Sequence, residues 1–142
     1  MARTRVLLVV AHDAVRVGLL SLLNGTTDIE IIGEARDVVE ALRLVEELKP
    51  DVLVWDIDTS RLNGFEVTRR LHAAQSPVHI LALSAYEDTH FILGFLAEGV
   101  TGYLVKDDAP NTIVEAVRSV SRGEKWLSPR AAAKITRKQD VL

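Results

Sequence analysis

Short apolar runs alternate along the chain with longer segments in which apolar residues recur every three or four positions. The short runs are rich in β-branched residues and end at turn residues, which predicts strands. These predicted strands are Thr4–Val10, Asp28–Ala35, Val52–Trp55, Val78–Leu83 and Thr101–Val105. The spacing in the longer segments is that of amphipathic helices. These predicted helices are 13–24, 37–48, 64–74, 88–98 and 110–122.

Residues that favour helix ends support these boundaries. Asp13 and Asp37 stand where a capping side chain can accept a hydrogen bond from the first turn. Gly99 suits the position just after a helix, and Pro110 suits the first turn of the next one. A further helix is predicted over Pro129–Lys138, without an apolar stripe that would face the core.

Five strand–helix units in strict alternation predict an α/β fold. Crossovers of this length make neighbouring strands parallel and the connections right-handed. We therefore predict a flavodoxin-like, doubly wound, five-stranded parallel sheet of order 2-1-3-4-5, with helices on both faces. In such a sheet, ligands bind beyond the carboxyl ends of the strands.

Polar residues follow three of the predicted strands at that edge. Asp56 leaves the third strand, Ser84 the fourth and Lys106 the fifth. Each of them alone is common in a loop, but together they form a candidate site. The carboxylate could attack a phosphorus centre while the ammonium and the hydroxyl stabilise the oxygens on which charge develops.

Composition narrows the class of protein. Hydrophobic residues make up 48% of the chain and charged residues 26%, which predicts a folded domain. The absence of cysteine excludes disulfides, thiol catalysis and cysteine-ligated zinc. No apolar run approaches the ~18 residues of a membrane span, and the run in MARTRVLLVV is too short for a signal peptide. We expect a cytoplasmic protein with no membrane partner.

Charge is distributed unevenly along the chain. Seven basic residues and one acidic residue lie between Arg118 and Lys138, so this segment carries +6 and the remaining residues carry −9 of the total of −3. A basic tail can contact nucleic acid. We interpret this one as a solvated last helix and linker, since it lacks aromatic residues spaced for stacking on bases.

Five motifs, in order, resemble the receiver domains of response regulators, in the subfamily with a LuxR/NarL-type helix-turn-helix output. They are RVLLVV, PDVLVWDI, NGFEV, ILALSAYED and EGVTGYLVKD. The resemblance implies a CheY-like receiver domain over residues 1–122. It also implies that residues 123–142, with GEKWLSPRAA, are a basic linker at the start of a C-terminal effector region.

The same resemblance implies roles for individual residues. Asp56 occupies the phosphoacceptor position, and Ser84 and Lys106 occupy positions that contact the phosphoryl group. Tyr103 occupies the position of the switch aromatic, which swings inward when the hydroxyl moves.

The chain departs from the family pattern where metal would bind. Val10 and Ala11 replace the two acids that hold Mg²⁺, Asp13 replaces a proline, and Thr59-Ser60-Arg61 replaces Met-Pro-Gly. Mg²⁺ prefers oxygen ligands, and only Asp56 and Asp58 remain as weak candidates. We therefore predict no cofactor, with Mg²⁺ binding weak or lost.

These observations predict a two-component receiver in phosphorelay signalling and transcription regulation that is weakly phosphorylated or independent of phosphorylation. Two alternatives stay open: a conventional switch phosphorylated on aspartate, and a pseudo-receiver that binds a small molecule above Val10 and Ala11. An enzyme is not expected, because the chain has no phosphate-binding glycine-rich loop and no nucleophile elbow around Ser84.

The resemblance also implies partners. They are a sensor histidine kinase and a second copy of the chain. The second copy would dock through the fourth helix, fifth strand and fifth helix, or through the first and fifth helices. DNA would be contacted only through a C-terminal domain outside this chain.

Overall fold

A computed structural model describes residues 3–59 and 64–141, apart from the side chains of residues 59, 64–67, 72 and 137–141. The strands are β1 (Thr4–Val9), β2 (Ile29–Ala35), β3 (Val52–Asp56), β4 (His79–Ser84), β5 (Gly102–Val105) and β6 (Trp126–Leu127). The helices are α1 (Asp13–Asn24), α2 (Val38–Leu48), α3 (Gly64–Ala73), α4 (Thr89–Ala97), α5 (Ala109–Ser121) and α6 (Pro129–Val141). Short 3₁₀ turns follow β3 at Ile57–Thr59 and β5 at Lys106–Asp108.

The strands form one parallel sheet in the order β2-β1-β3-β4-β5-β6. The parallel α/β fold and its first five positions agree with the sequence prediction, but the prediction of five strands was wrong. Trp126 and Leu127 pair with Gly102 and Tyr103 as a sixth strand. Two residues are too few to show an alternating pattern, so hydrophobic periodicity could not indicate this strand.

Helices cover both faces of the sheet, as predicted. One face packs against α1 and α5 through residues such as Leu19 and Ile113. The other packs against α2, α3, α4 and α6, with Trp55 and Phe95 in edge-to-face contact at a centroid distance of 6.1 Å. In the described part of the chain, no helix is long and apolar enough to cross a bilayer.

The helix α6 packs against α4 and β5. Ala131 is buried and Ile135 packs against the core, although the sequence showed no core-facing stripe. Two contacts of Arg130 anchor this helix. Its guanidinium lies 2.9 Å from a carboxylate oxygen of Glu87, and its backbone N–H donates to the Asp108 carboxylate at 3.0 Å. The division of the chain at residues 122 and 123 stays a prediction.

The predicted helix ends are confirmed in three places and wrong in one, and the first of these is Pro110, which lies in the first turn of α5. The Asp37 carboxylate caps α2 by accepting from the backbone N–H of Glu40 at 2.8 Å. Gly99 follows α4 with φ of +104°, which favours glycine. Asp13 does not cap α1: His12 is the capping residue, and the Asp13 carboxylate pairs with Arg36 at 3.2 Å.

Candidate functional site

The carboxyl ends of the strands bring the candidate residues to one edge of the sheet. In the parallel register Val9 lies beside Trp55, and Ser84 lies beside Val105. Asp56 is the last residue of β3, while Lys106 directly follows β5. The exits of β1, β3, β4 and β5 are therefore neighbours. Ser60 and Arg61, which belong to the predicted departure in the loop after β3, lie outside the described residues.

Asp56 and Lys106 form an ion pair at this edge. The Asp56 side chain is fully buried, and its Oδ1 lies 2.9 Å from the Lys106 Nζ. Burial raises the pKa of Asp56, and the hydrogen bond from Lys106 only partly opposes that shift. Burial lowers the pKa of Lys106, but its hydrogen bonds to Asp56 and Asp58 outweigh this and leave the pKa raised. Lys106 therefore remains an ammonium at neutral pH.

A second carboxylate, that of Asp58, completes the cluster. Its Oδ1 accepts the Ser84 hydroxyl at 3.0 Å, and its Oδ2 accepts the Ala85 backbone N–H at 2.8 Å. The Lys106 Nζ lies 3.0 Å from the same Oδ2. We call the Ser84 hydroxyl, the Ala85 N–H and the Lys106 ammonium the anion cradle.

Asp58 was predicted only as a weak metal candidate, and Ala85 was not predicted at all. The 3₁₀ turn after β3 brings the chain back over the edge, where the backbone N–H of Asp58 donates to the Asp56 Oδ1 at 3.1 Å. An acid two residues after the acid that ends β3 was the available signal. Ala85 contributes through its backbone, so its side chain gave no signal.

Tyr103 lies one step away from the anion cradle. Its ring is fully buried, and its hydroxyl donates to the Tyr86 carbonyl at 2.9 Å. The Tyr86 N–H in turn donates to the Ser84 Oγ at 3.0 Å. Burial raises the pKa of Tyr103 to about 12. Ser84 and Tyr103, which the family resemblance couples as hydroxyl and switch aromatic, are therefore linked through the backbone of Tyr86.

The exit of β1 is apolar. Val10 is 1% exposed, and its backbone N–H donates to the Ala35 carbonyl at 3.0 Å. Val10 and Ala11 offer no side-chain oxygen, while Asp56 and Asp58 both contact Lys106. Among the residues that the structure describes, no three His, Asp or Glu side chains group to hold a metal ion. The described side chains at this edge thus offer a Mg²⁺ ion two carboxylates, and Lys106 already contacts both of them.

Comparisons with known proteins agree with this architecture. The family model of the response regulator receiver domain matches residues 6–118. The transcriptional regulatory protein LiaR of Bacillus subtilis (strain 168) is 36% identical over 131 residues, covering 92% of this chain and 62% of that protein. The DNA-binding transcriptional activator DevR/DosR of Mycobacterium tuberculosis is 35% identical over 134 residues, with coverage of 94% and 62%. The chain thus spans about three fifths of the length of these relatives.

Solved structures give the same result. A LuxR-family two-component response regulator from Aurantimonas sp. SI85-9A1 superposes with a TM-score of 0.91 at 29% identity, covering 97% of this chain and 99% of that chain. The receiver domain of the response regulator NarL from Mycobacterium tuberculosis gives 0.82 at 27% identity, covering 87% and 100%. The chain therefore belongs to the response regulator receiver family, among two-component regulators of the LuxR/NarL type.

Proposed function

We propose that this receiver sets its output through protein contacts, with Asp56 at the acceptor position but without effective Mg²⁺-dependent phosphorylation. The observation that carries the proposal is the exit of β1, where the buried Val10 stands beside the end of β3 in place of an oxygen ligand. Its role is signalling and not catalysis.

Electrostatics support this proposal. Phosphoryl transfer to Asp56 would bring an anionic donor towards two carboxylates, and such reactions depend on metal ions and cationic groups to neutralise the developing charge. Lys106 is already shared between Asp56 and Asp58, at 2.9 and 3.0 Å. Without a metal ion, the transition state loses a principal source of stabilisation, and modification of Asp56 is expected to be slow or absent.

Intact-mass measurement after incubation with acetyl phosphate, with and without Mg²⁺, tests the proposal. The matched control is Asp56→Asn. We expect no phosphate-sized mass gain in either protein under either condition. A gain that needs both Mg²⁺ and Asp56 would overturn the proposal and establish the conventional phosphorylated switch. The Asp56–Lys106 contact is the observation that favours this alternative.

The partners of the whole protein follow from its relatives. Because the chain spans about 62% of LiaR and of DevR/DosR, we propose that residues 123–142 lead into a C-terminal effector domain. That domain would contact DNA and regulate transcription. From the same similarity to two-component regulators we propose a sensor histidine kinase as partner and a cytoplasmic location.

To test DNA contact through the effector domain, binding to a promoter fragment would be compared between this chain alone and a longer protein that includes the domain.

The homodimer surface is proposed to be α1 with α5. The alternative surface, formed by α4, β5 and α5, is partly covered because α6 packs on α4 and β5 with Ala131 buried. On α1, Val17 is 57% exposed, although it is apolar. Sedimentation of the wild type beside Val17→Glu tests the proposal. A dimer that survives this change would contradict it.

A further inference from the structure

The anion cradle already holds an anion, which is the Asp58 carboxylate. A serine hydroxyl and a backbone N–H each have one proton to donate. The proton of Ser84 goes to Asp58 Oδ1 and that of Ala85 goes to Asp58 Oδ2. Lys106 adds a charge-assisted contact to the same carboxylate at 3.0 Å. A second oxyanion at this place would find both single-proton donors in use.

The anion cradle lies next to the acceptor position. Lys106 contacts Asp56 and Asp58 at once, so the cradle adjoins the buried carboxylate at the acceptor position. Convergent hydroxyl, amide and ammonium donors suit any small oxyanion, because they stabilise negative oxygens in a partly desolvated site. A carboxylate, like a phosphoryl group, presents negatively charged oxygens, although it has fewer of them.

We infer that Asp58 is a built-in substitute for a phosphoryl group, and that it holds the edge of the sheet in the arrangement that a bound oxyanion would otherwise impose. This inference deepens the proposed function, since it supplies a reason for a receiver to keep the cradle and lose the metal ligands. It also assigns Asp58 a regulatory role in place of the weak metal-ligand role.

A continuous set of hydrogen bonds carries the effect of Asp58 away from the cradle. Ser84 donates to Asp58 and accepts from the Tyr86 N–H, and the Tyr86 carbonyl accepts from the buried Tyr103 hydroxyl. Tyr86 is 55% exposed, and its ring contacts that of Phe91 at a centroid distance of 5.0 Å with the ring planes tilted by 35°. Asp58 thereby holds an aromatic surface at the start of α4 in one arrangement.

Amide NMR during titration with inorganic phosphate tests the inference. Three proteins are compared: Asp56→Asn, Asp56→Asn/Asp58→Ala and Asp56→Asn/Asp107→Ala. All three lack the Asp56 charge. The two double variants have the same net charge, but only one of them empties the cradle, because Asp107 is an exposed carboxylate at the same edge.

The variant without Asp58 is expected to bind phosphate about tenfold or more tightly than the other two, since the two donors and the ammonium become available. The Ala85 amide signal should shift with phosphate, and the Tyr86 amide signal should move back towards its position in Asp56→Asn. Equal binding by all three proteins would overturn the inference. So would Ala85 and Tyr86 signals that do not change when Asp58 is removed.

If the alanine variant does not fold, Asp58→Ser in the Asp56→Asn background answers the same question. The serine side chain is uncharged, shorter and has one oxygen, so it cannot accept from both the Ser84 hydroxyl and the Ala85 N–H. The titration contains no Mg²⁺ and no phosphodonor, so its outcome is independent of whether Asp56 can be phosphorylated. Mg²⁺-dependent phosphorylation would overturn the proposed function and leave this result standing.

Discussion

The exit of β1 and the exits of β3, β4 and β5 lie at the same edge of one sheet but have opposite chemistry. The first ends in the buried Val10. The others hold two carboxylates, a hydroxyl and an ammonium in mutual contact. The difference teaches that one sheet edge can combine an apolar strand end, here called the apolar half, with a cluster of paired charges, here called the polar half. The polar half contains both a cation, Lys106, and an anion, Asp58, in direct contact at 3.0 Å.

The largest effect is expected from Lys106→Met. It removes the ammonium that both carboxylates contact, and one of them, Asp56, is fully buried. Breaking a buried ion pair typically destabilises a protein by about 3–5 kcal/mol, and urea denaturation at pH 7 measures the loss. The raised pKa of Lys106 means that its stabilising contribution is present below the unfolded pKa of 10.5 and is lost as pH rises through the folded value.

A second change separates lost charge pairing from lost packing in that experiment. Asp56→Asn added to Lys106→Met removes a carboxylate left without its ammonium, so it should recover part of the stability. No recovery would indicate that the lysine stem, and not its charge, holds the polar half together.

Restoring acids at the exit of β1 tests the apolar half. Val10→Asp/Ala11→Asp places a carboxylate at the buried position of Val10, and we expect a loss of about 3 kcal/mol without metal. Excess Mg²⁺ should then regain about 2–3 kcal/mol by binding the folded state. Thermal unfolding with and without MgCl₂ measures both effects, with Val10→Asn/Ala11→Asn as the control. Equal Mg²⁺ responses in the wild type and the acidic variant would remove the contrast between the two halves.

Asp56→Asn is expected to stabilise the protein at neutral pH by about 1 kcal/mol, since it removes a buried charge while Lys106 keeps its contact with Asp58. The gain in stability is expected because burial on folding raises the pKa of Asp56 above 3.8, so the charged form is disfavoured in the folded state. The contribution of Asp56 to stability is present below the unfolded pKa and is lost as pH rises through the folded value. The advantage of the variant should therefore vanish as pH falls towards 3.8. Urea denaturation at pH 7 and at lower pH distinguishes this from an advantage that does not depend on pH.

The smallest effect is expected from Tyr103→Phe, which removes the hydroxyl that donates to the Tyr86 carbonyl. One neutral hydrogen bond contributes about 0.5–1 kcal/mol. The Ala85 amide signal should stay in place, because the cradle itself is intact, while the Tyr86 signal should move. If both signals move alike, the linkage extends into the cradle, and the polar half is larger than described.

Strand periodicity and strand-end polar residues were sufficient to predict the parallel sheet and the proximity of Asp56 to Lys106. Both depend on chain direction, which the alternation of strands and helices fixes. The occupancy of the cradle could not be predicted, because it depends on the path of the 3₁₀ turn that carries Asp58 and on a backbone N–H. Asp13 shows the same limit: its sequence position suited a cap, but nearby arginines offered its carboxylate charged partners.

The short strand β6 has a consequence for how the chain behaves in solution. Backbone groups on the outer edge of β5 are paired by this segment. The backbone N–H of Trp126 donates to the Thr101 carbonyl at 3.2 Å, and the backbone N–H of Ser128 donates to the Tyr103 carbonyl at 3.0 Å. The Ser128 hydroxyl also accepts the Val105 N–H at 3.1 Å. An open edge of this kind is a template for pairing with another chain. A fragment that ends at residue 122 would therefore leave the β5 edge unpaired and prone to aggregation. By pairing with that edge, the short segment that follows protects it from edge-to-edge self-association.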